Sequence, residues 1–393
     1  MTDTLTLFGG TFARGGVDAE IGDAAWLRAM LDAEAALAEA EGRLGLITAG
    51  VAREIADACR TAVLDVAEIG RAAADGGTPV IPLVAALRAA VGPAAAPWVH
   101  HGATSQDILD TAAMLVVRRA AVPLSDDLTA AADAAARLAA QHRDTPMAGR
   151  TLMQQALPIT FGWEAAGWMA ALDAAASAID DMAAHSLAAQ LGGPVGTLVD
   201  FGAAGPRLVE AFADILGLPA PTGTWHTERS RIGRVAAALA ISAGACAKVS
   251  GDIVLLAQTE VGEVREGVPG RGGSSSMAHK RNAIAAISAL GCAQQAPGLA
   301  ANLFAAAQQE HQRAAGRWHS EWLSALLQVT GSAAAWTRDS VEHLEIDAER
   351  MRGNLALGAE PDGGTARYVD AAAVAVDRAL DVHASRSRKP AMA

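Results

Sequence analysis

Between Ser230 and Val261 the sequence reads as one long helix that is apolar almost all the way round. Val235, Leu239, Ile241, Val249, Ile253, Leu255 and Leu256 leave it no polar face. Such a helix has to be covered on every side, which in a chain of 393 residues points to the centre of a bundle shared between subunits. A bilayer would also accept it, but the charge-free part, Val235 to Ala247, is too short to span one. The longer uncharged stretch from Ala283 to Gln309 is interrupted by Gln294, Gln295, Pro297 and Asn302, which suits a buried interface better than lipid.

The rest of the chain predicts an all-α architecture. Hydrophobic residues make up 51% but aromatics only 4%, so much of the apolar content is alanine, which favours helix and close helix packing. Few segments have the β-branched, aromatic character of strands. Length alone allows two or three domain-sized units. Asp23 reads as an N-cap, after which Leu27, Met30, Leu31, Leu37 and Leu44 recur at helical spacing until Gly45. A second helical segment runs from Val51 to about Asp75, and Gly76 to Leu83 is a turn-rich break. Further helices are predicted from Ile108 to about Ala120, Ser125 to His142, Thr160 to Met182, from near Asn282, and from Gly316 to Ser340. No internal repeat is visible, and the end, SRSRKPAMA, reads as disordered. The boundaries expected are an N-terminal helical domain over 1–107, a central helical bundle over 108–345 and a short C-terminal helical segment with its tail over 346–393.

A net charge of −12 argues against nucleic acid as a partner, because no basic face is there to neutralise phosphates. An anionic substrate would need a locally positive pocket. Cys59, Cys246 and Cys292 lack metal or CxxC spacing and read as buried thiols in a reducing cytoplasm. The first residues, MTDTLTLFGG, lack the basic-then-apolar pattern of a signal peptide. Cytoplasmic location and no membrane partner follow as expectations. No His/Asp/Glu cluster has ligand spacing, so neither a metal nor another cofactor is expected.

Three segments could carry chemistry. In His100-His101-Gly102-Ala103-Thr104-Ser105-Gln106-Asp107, Thr104 and Asp107 form a capping box that starts a helix. The same helix start, with two histidines before it, can bind an anion. Gly149 to Pro158, GRTLMQQALP, reads as a polar loop leading into a helix, with Gln154 and Gln155 as candidate structural amides. Gly270 to Asn282, GRGGSSSMAHKRN, carries the strongest signal. Its glycines loosen the chain, and its serines and the cations His279, Lys280 and Arg281 suit a loop that closes over an anion.

GSSSMAHKRN, from Gly273 to Asn282, resembles the GSSxMPxKxN signature of the fumarase/aspartase superfamily. HHGATSQDILDT, GRTLMQQALPITFG, WHTERSRIG, LLAQTEVGEVREG and QQEHQRAAGRWHSEW, in that order, resemble the bacterial 3-carboxy-cis,cis-muconate cycloisomerases of that superfamily. The resemblance covers nearly the whole chain. It implies a three-domain, fumarase-like fold and a homotetramer with a central helical bundle. It also implies active sites shared between subunits, and metal-free, cofactor-free lactonisation of a tricarboxylate from protocatechuate breakdown. It places Ser274 and Lys280 as catalytic residues within the loop spanning 265–282, and His100, Thr104, Ser105, Thr151, Gln154, Ser275, Asn282 and Arg313 as substrate-binding residues. There are departures: Ala278 and Ala283 replace prolines of the signature, Gln155 stands where relatives often have histidine, and the C-terminal domain is curtailed after Leu357.

In such a reaction a carboxylate oxygen adds across a conjugated double bond, and the neighbouring carbon becomes carbanion-like before it is protonated. Preplaced donors must hold the charge that spreads into the attached carboxylate, and an acid must deliver a proton to carbon. By the resemblance Ser274 delivers it, with Lys280 as the competitor. Leu152 bears on the choice of reaction. In fumarase-like and adenylosuccinate-lyase-like members a histidine follows GRT, where hydroxide or an amine must leave. In the reverse of lactonisation the leaving group is a carboxylate, with a pKa of roughly 4, and it needs no acid. The alternatives are a C–N or C–O lyase acting on a substituted succinate, including one that releases a weak base such as nitrite, and a non-catalytic helical scaffold.

Overall fold

A computed structural model describes residues 7–308, 311, 320–358 and 364–387. Helices α1 (Gly9–Phe12) and α2 (Val17–Ile21) lead into α3 (Asp23–Arg43), α4 (Ala49–Thr61), α5 (Val66–Gly76) and α6 (Val80–Ala90). The longest helix, α7 (Ser105–Gln141), is followed by strands β1 (Pro146–Thr151) and β2 (Gln154–Thr160) and by α8 (Phe161–His185). Then come α9 (Gly205–Leu216), α10 (Ser230–Leu256), β3 (Val264–Glu266), α11 (Ile284–Ala293) and α12 (Ala296–Ala305). The described chain ends with α13 (Ser320–Glu342), β4 (Leu344–Ile346), α14 (Ala348–Leu355) and α15 (Gly364–Ser387).

The helix-on-helix architecture follows from the small residues that line the contacts. α8 packs along α7 and α10, and α13 along α7, α10 and α11. Ala112, Ala131, Ala165, Ala175 and Ala236 are fully buried in these faces and let the helices approach closely. Trp168, the largest fully buried side chain, donates its indole N–H to Asp252 at 2.8 Å. β1 and β2 form an antiparallel hairpin, and β3 and β4 a second two-stranded pair.

The structure departs from the sequence reading in several places. The helices expected over 108–120 and 125–142 are one helix, because α7 runs through Pro123. An internal proline costs about 3 kcal/mol. Burial against α2, α8 and α13 offsets it, and Gly16 makes room against the proline ring. The N-cap of α3 is Gly22, and Asp23 is the first helical residue, where its carboxylate still meets the helix dipole. The segment from Val51 to Asp75 is two helices, since Asp65 accepts from the N–H groups of Ala67 and Glu68 and starts α5 afresh. The break after Gly76 is real, with Gly77 left-handed at φ 67°, but helix resumes at Val80. The helix expected from Asn282 starts at Ile284 and divides at Gln294 and Gln295 into α11 and α12.

α10 stops at Leu256, not Val261. Over its 27 residues it is long and apolar enough to cross a bilayer, which its shorter charge-free core does not suggest, yet it packs against α8, α11, α12 and α13. Val235, Leu239, Val249 and Ile253 are buried. Ile241, at 55% exposure, and Leu255, at 39%, are not, so one face of this helix is uncovered within a single chain. The described residues after Ile346 form α14 and α15. α15 has 24 residues and is held to α7, α8 and the loop after α7 by ion pairs. Arg143 meets Asp377 at 2.6 Å, His383 meets Asp173 at 2.8 Å and Asp133 at 3.1 Å, and Arg386 meets Asp173 at 2.6 Å.

Candidate active site

The first segment is the start of α7. Thr104 and Asp107 form the capping box the sequence predicts, with the Thr104 N–H donating to Asp107 at 3.0 Å. Asp107 does more than cap. It is fully buried and also accepts from the N–H groups of Gly192 and Gly193, both at 2.9 Å, and meets His226 Nε2 at 2.7 Å. Below it Arg229 grips Asp110 with two bonds of 2.7 and 2.8 Å. These contacts tie the start of α10 to the start of α7. His100 sits at φ 60° and Gly102 at φ 61°, and a Cβ on Gly102 would run into the Phe201 ring. His100 Nδ1 lies 2.6 Å from a carboxylate oxygen of Glu34, and His101 Nδ1 lies 2.6 Å from Glu41. Burial pulls the His100 pKa down, but the charge and hydrogen bond of Glu34 outweigh it and the net shift is upward. Burial pushes Glu41 up to about 7 against the opposing pull of His101.

The second segment is an antiparallel hairpin, not a loop: Arg150 pairs with Gln155 and Thr151 with Gln154. Leu152 and Met153 form the two-residue turn with φ 49° and 64°. Tight hairpin turns of this kind favour Asn and Gly, and two bulky residues there carry strain on the order of 1 kcal/mol each. Leu152 is 96% exposed and Met153 69%, so neither is held by packing within its own chain. The hairpin is fixed firmly just below its tip. Arg150 makes two bonds of 2.8 and 2.7 Å to the fully buried Glu263, which also accepts from Asn354 at 2.8 Å. Gln155 donates to the Asn354 carbonyl at 2.9 Å and so serves as a structural amide. Glu263→Ala would leave Arg150 without its carboxylate and should cost about 3 kcal/mol, the usual loss on breaking a buried pair from one side. Equilibrium unfolding in denaturant measures it, and a loss below about 1 kcal/mol would contradict this account.

The third segment is the loop between β3 and α11. Its neck is closed by Asn282, whose backbone and side-chain N–H groups both donate to the Gly272 carbonyl, at 2.8 and 2.9 Å. A Cβ on Gly272, at φ 77°, would collide with the Asn282 backbone. Arg271 holds Asp339 with bonds of 2.7 and 3.0 Å. Glu266 caps α11 by accepting from Ala285 and Ala286 at 3.0 and 2.9 Å, and from the Ser340 hydroxyl at 2.9 Å. Ser274 Oγ accepts from the N–H groups of Ser276 and Met277 at 3.3 and 3.2 Å. Ser275, His279, Lys280 and Arg281 are exposed. A cavity of about 520 Å³ lies at the base of the loop, lined by Glu266, Arg271, Arg281, Asn282 and Glu345 among others.

Within one chain these segments do not form a single site. α7 has 37 residues and is roughly 55 Å long. His100, Thr104 and Ser105 lie at its first end, and the hairpin emerges from the other. Thr151 is 10 residues beyond Gln141 and can reach back at most about 35 Å. α10 starts beside Asp107 and, after 27 residues, delivers β3 and the loop neck at the hairpin end. The structure thus groups Ser274, Ser275, Lys280 and Asn282 on one loop, places Thr151 and Gln154 beside the hairpin tip, and sets His100, Thr104 and Ser105 apart from both. Arg313 lies outside the described residues, as does most of QQEHQRAAGRWHSEW. Sequence reading did not find Glu34, Glu41, Glu263 or Glu266 as partners. Glu34 and Glu41 stand among other charged residues of α3, and Glu263 and Glu266 in the polar stretch TEVGEVREG, so local sequence does not distinguish them; each partner lies far along the chain.

The model of a family described as lyase matches residues 12–298. A 3-carboxy-cis,cis-muconate cycloisomerase of Bradyrhizobium diazoefficiens is 48% identical over 339 residues, covering 85% of this chain and 75% of that protein. A nitrosuccinate lyase of Streptomyces davaonensis is 46% identical over 355 residues, covering 87% and 75%. The crystal structure of the 3-carboxy-cis,cis-muconate lactonizing enzyme from Pseudomonas putida superposes with a TM-score of 0.90 at 35% identity, covering 97% of this chain and 99% of that one.

Proposed function

This chain belongs to the lyase family of the fumarase/aspartase superfamily, and on that premise we propose that it is a 3-carboxy-cis,cis-muconate cycloisomerase. The observation that carries the reading is the similarity to enzymes of that name in both sequence and three-dimensional structure, over most of each chain. The substrate is then a small tricarboxylate. One of its carboxylate oxygens bonds to an alkene carbon, the alkene electron pair moves to the neighbouring carbon and into its carboxylate, and a proton is delivered to that carbon. Ser274 is the donor in this reading. The two backbone N–H groups on its Oγ are what an incipient alkoxide needs, and they lower the cost of giving up the proton. Lys280 supplies positive charge to the aci-carboxylate. His100, Thr104, Ser105, Thr151, Gln154, Ser275, Asn282 and Arg313 bind the substrate, with Asn282 also holding the loop neck shut. The reaction needs no metal, and we place it in the cytoplasm, in the breakdown of protocatechuate by the β-ketoadipate route.

A homotetramer with sites shared between subunits is part of this reading. It is supported by the separation of the three segments along α7 and by apolar side chains that one chain leaves uncovered, namely Leu152 and Met153 at the hairpin and Ile241 and Leu255 on α10. The domain division over 1–107, 108–345 and 346–393 goes with it.

A nitrosuccinate lyase reading rests on the 46% identity, and Leu152 fits it as well as it fits lactonisation. Leu152 offers no proton to a leaving group, and nitrite, a weak base, needs none. One assay separates the two. After exhaustive chelation, the protein should consume the diene absorbance of 3-carboxy-cis,cis-muconate rapidly and release little fumarate or nitrite from nitrosuccinate. The reverse ranking would replace the cycloisomerase reading with the lyase one.

A further inference from the structure

The buried face of helix α3 is mostly alanine and leucine, yet it also carries two carboxylates. Glu34 is 1% exposed and Glu41 0%. Seven residues, two helical turns, put them on one face, where each takes the Nδ1 of one of two adjacent histidines at 2.6 Å. Each keeps a second buried oxygen, Oε2, without a partner. Burying a carboxylate costs several kcal/mol even when it is paired, and leucines would serve packing better. The backbone is bent to make the arrangement, with His100 in the left-handed region and Gly102 giving way to the Phe201 ring. His101 is wedged edge-on between Trp98 and Phe201, with centroids 4.7 and 5.4 Å away. With Nδ1 of both rings directed at α3, Nε2 is the nitrogen left for a ligand.

We propose that Glu34 and Glu41 are positioning residues that hold His100 and His101 as a pair of imidazole donors, a clamp for the substrate's carboxylates at the start of α7, and that the clamp works only while each Glu–His dyad keeps its shared proton. The inference rests on the polycarboxylate reading of this segment. The chemistry is a matter of tautomers. When a dyad holds the proton, either the imidazole is cationic or the carboxyl is protonated and donates to Nδ1. In both forms Nε2 carries a hydrogen and can donate to an anion. When the proton leaves, Nδ1 donates to the carboxylate, Nε2 presents a lone pair, and the anion is repelled.

The groups that face His100 are Glu34 from α3, Asp107 from α7 and Arg88 from α6. Those that act on Glu41 are His101 and, along the helix, Glu34. Cys59 of α4 also feels Glu34. The His100 pKa is raised, so its donor form is complete below the ordinary imidazole value and is lost as pH rises through the raised one. Glu41 at about 7 places loss of the second dyad's proton at and above neutrality. Anion binding should therefore weaken as the solution turns alkaline.

The test measures kcat and KM for 3-carboxy-cis,cis-muconate, and separately calorimetric binding of propane-1,2,3-tricarboxylate, from about pH 6 to about pH 9. The proteins are the wild type, Glu34→Gln, Glu34→Asp and Glu41→Gln. Wild-type KM and Kd should rise with pH. Glu34→Gln keeps a hydrogen bond but removes the charge, so its curve should move to lower pH. A displacement of about one pH unit would raise KM a few-fold near neutrality and about tenfold on the alkaline limb, above both pKa values. KM should recover on acidification, kcat should change little, and Glu34→Asp should restore most of the lost affinity. A wild-type Kd that is flat with pH, or variants whose KM–pH curves superimpose on the wild type, would overturn the proposal. So would a fall in kcat alone in correctly assembled protein. If Glu34→Gln fails to assemble, Glu41→Gln and the wild-type binding curve decide the matter. Tricarboxylate binding that weakens with pH in a protein unable to lactonise would sink the cycloisomerase reading and leave the clamp standing.

Discussion

Ser274→Ala should lower kcat roughly 10³-fold while KM changes no more than a few-fold, because the hydroxyl is asked to act only in the transition state. The basis is local. Ser274 Oγ already faces two N–H groups from its own turn, and these can stabilise the alkoxide left when its proton goes to carbon. The neck bonds of Asn282 to Gly272 and the grip of Arg271 on Asp339 do not involve the Ser274 side chain, so the loop should keep its shape in the variant. Lys280 is exposed and shows no comparable arrangement of donors. Lys280→Ala should harm both parameters, since a charge that holds the substrate carboxylate acts before and during reaction. Steady-state kinetics on the two variants decides between them. Near-normal turnover in Ser274→Ala would move the proton donor elsewhere, with Lys280 the first candidate.

Two inactive proteins, one altered at His100 and one at Ser274, should regain activity when unfolded together and refolded as a mixture. The α7 helix separates these residues along a single chain by a distance that the connecting segments do not close, so on the shared-site reading proposed above a working site draws the two from different subunits. With random assembly, about one quarter of sites would draw an intact His100 and an intact Ser274 from the two parents. Neither parent should recover alone. Mixed tetramers confirmed by mass that stay inactive, with both parents refolding properly, would mean that each chain carries a complete site.

Much of this architecture was legible because it is local. The capping box at Thr104, the helical spacing of α3 and the serine- and glycine-rich loop are each written in a few consecutive residues. What sequence reading missed is set by partners far along the chain. Pro123 stays helical because neighbouring helices cover it, which no local propensity records. GRTLMQQALP looks polar and irregular, but pairing between its own halves and the anchor of Arg150 on Glu263, 113 residues away, make it a hairpin. Glu34 and Glu41 look like any of the charged residues of α3. Only the fold shows that two adjacent histidines come to meet them. All faces of α10 were expected to be buried, whereas Ile241 and Leu255 are uncovered within one chain, because burial was read from composition and a face that awaits a partner has the same composition as one already packed.

The exposure of Leu152 has a consequence for how such a chain can diversify. A side chain that touches almost nothing in its own subunit can be exchanged at little cost to the subunit's stability, while the hairpin beneath it stays clamped by Glu263. The fold therefore separates two selective pressures that usually conflict. On the reading that position 152 meets the leaving group, drift at the tip would explore new leaving groups, from carboxylate to nitrite to those that require an acid. The core that keeps the protein folded does not have to change with it.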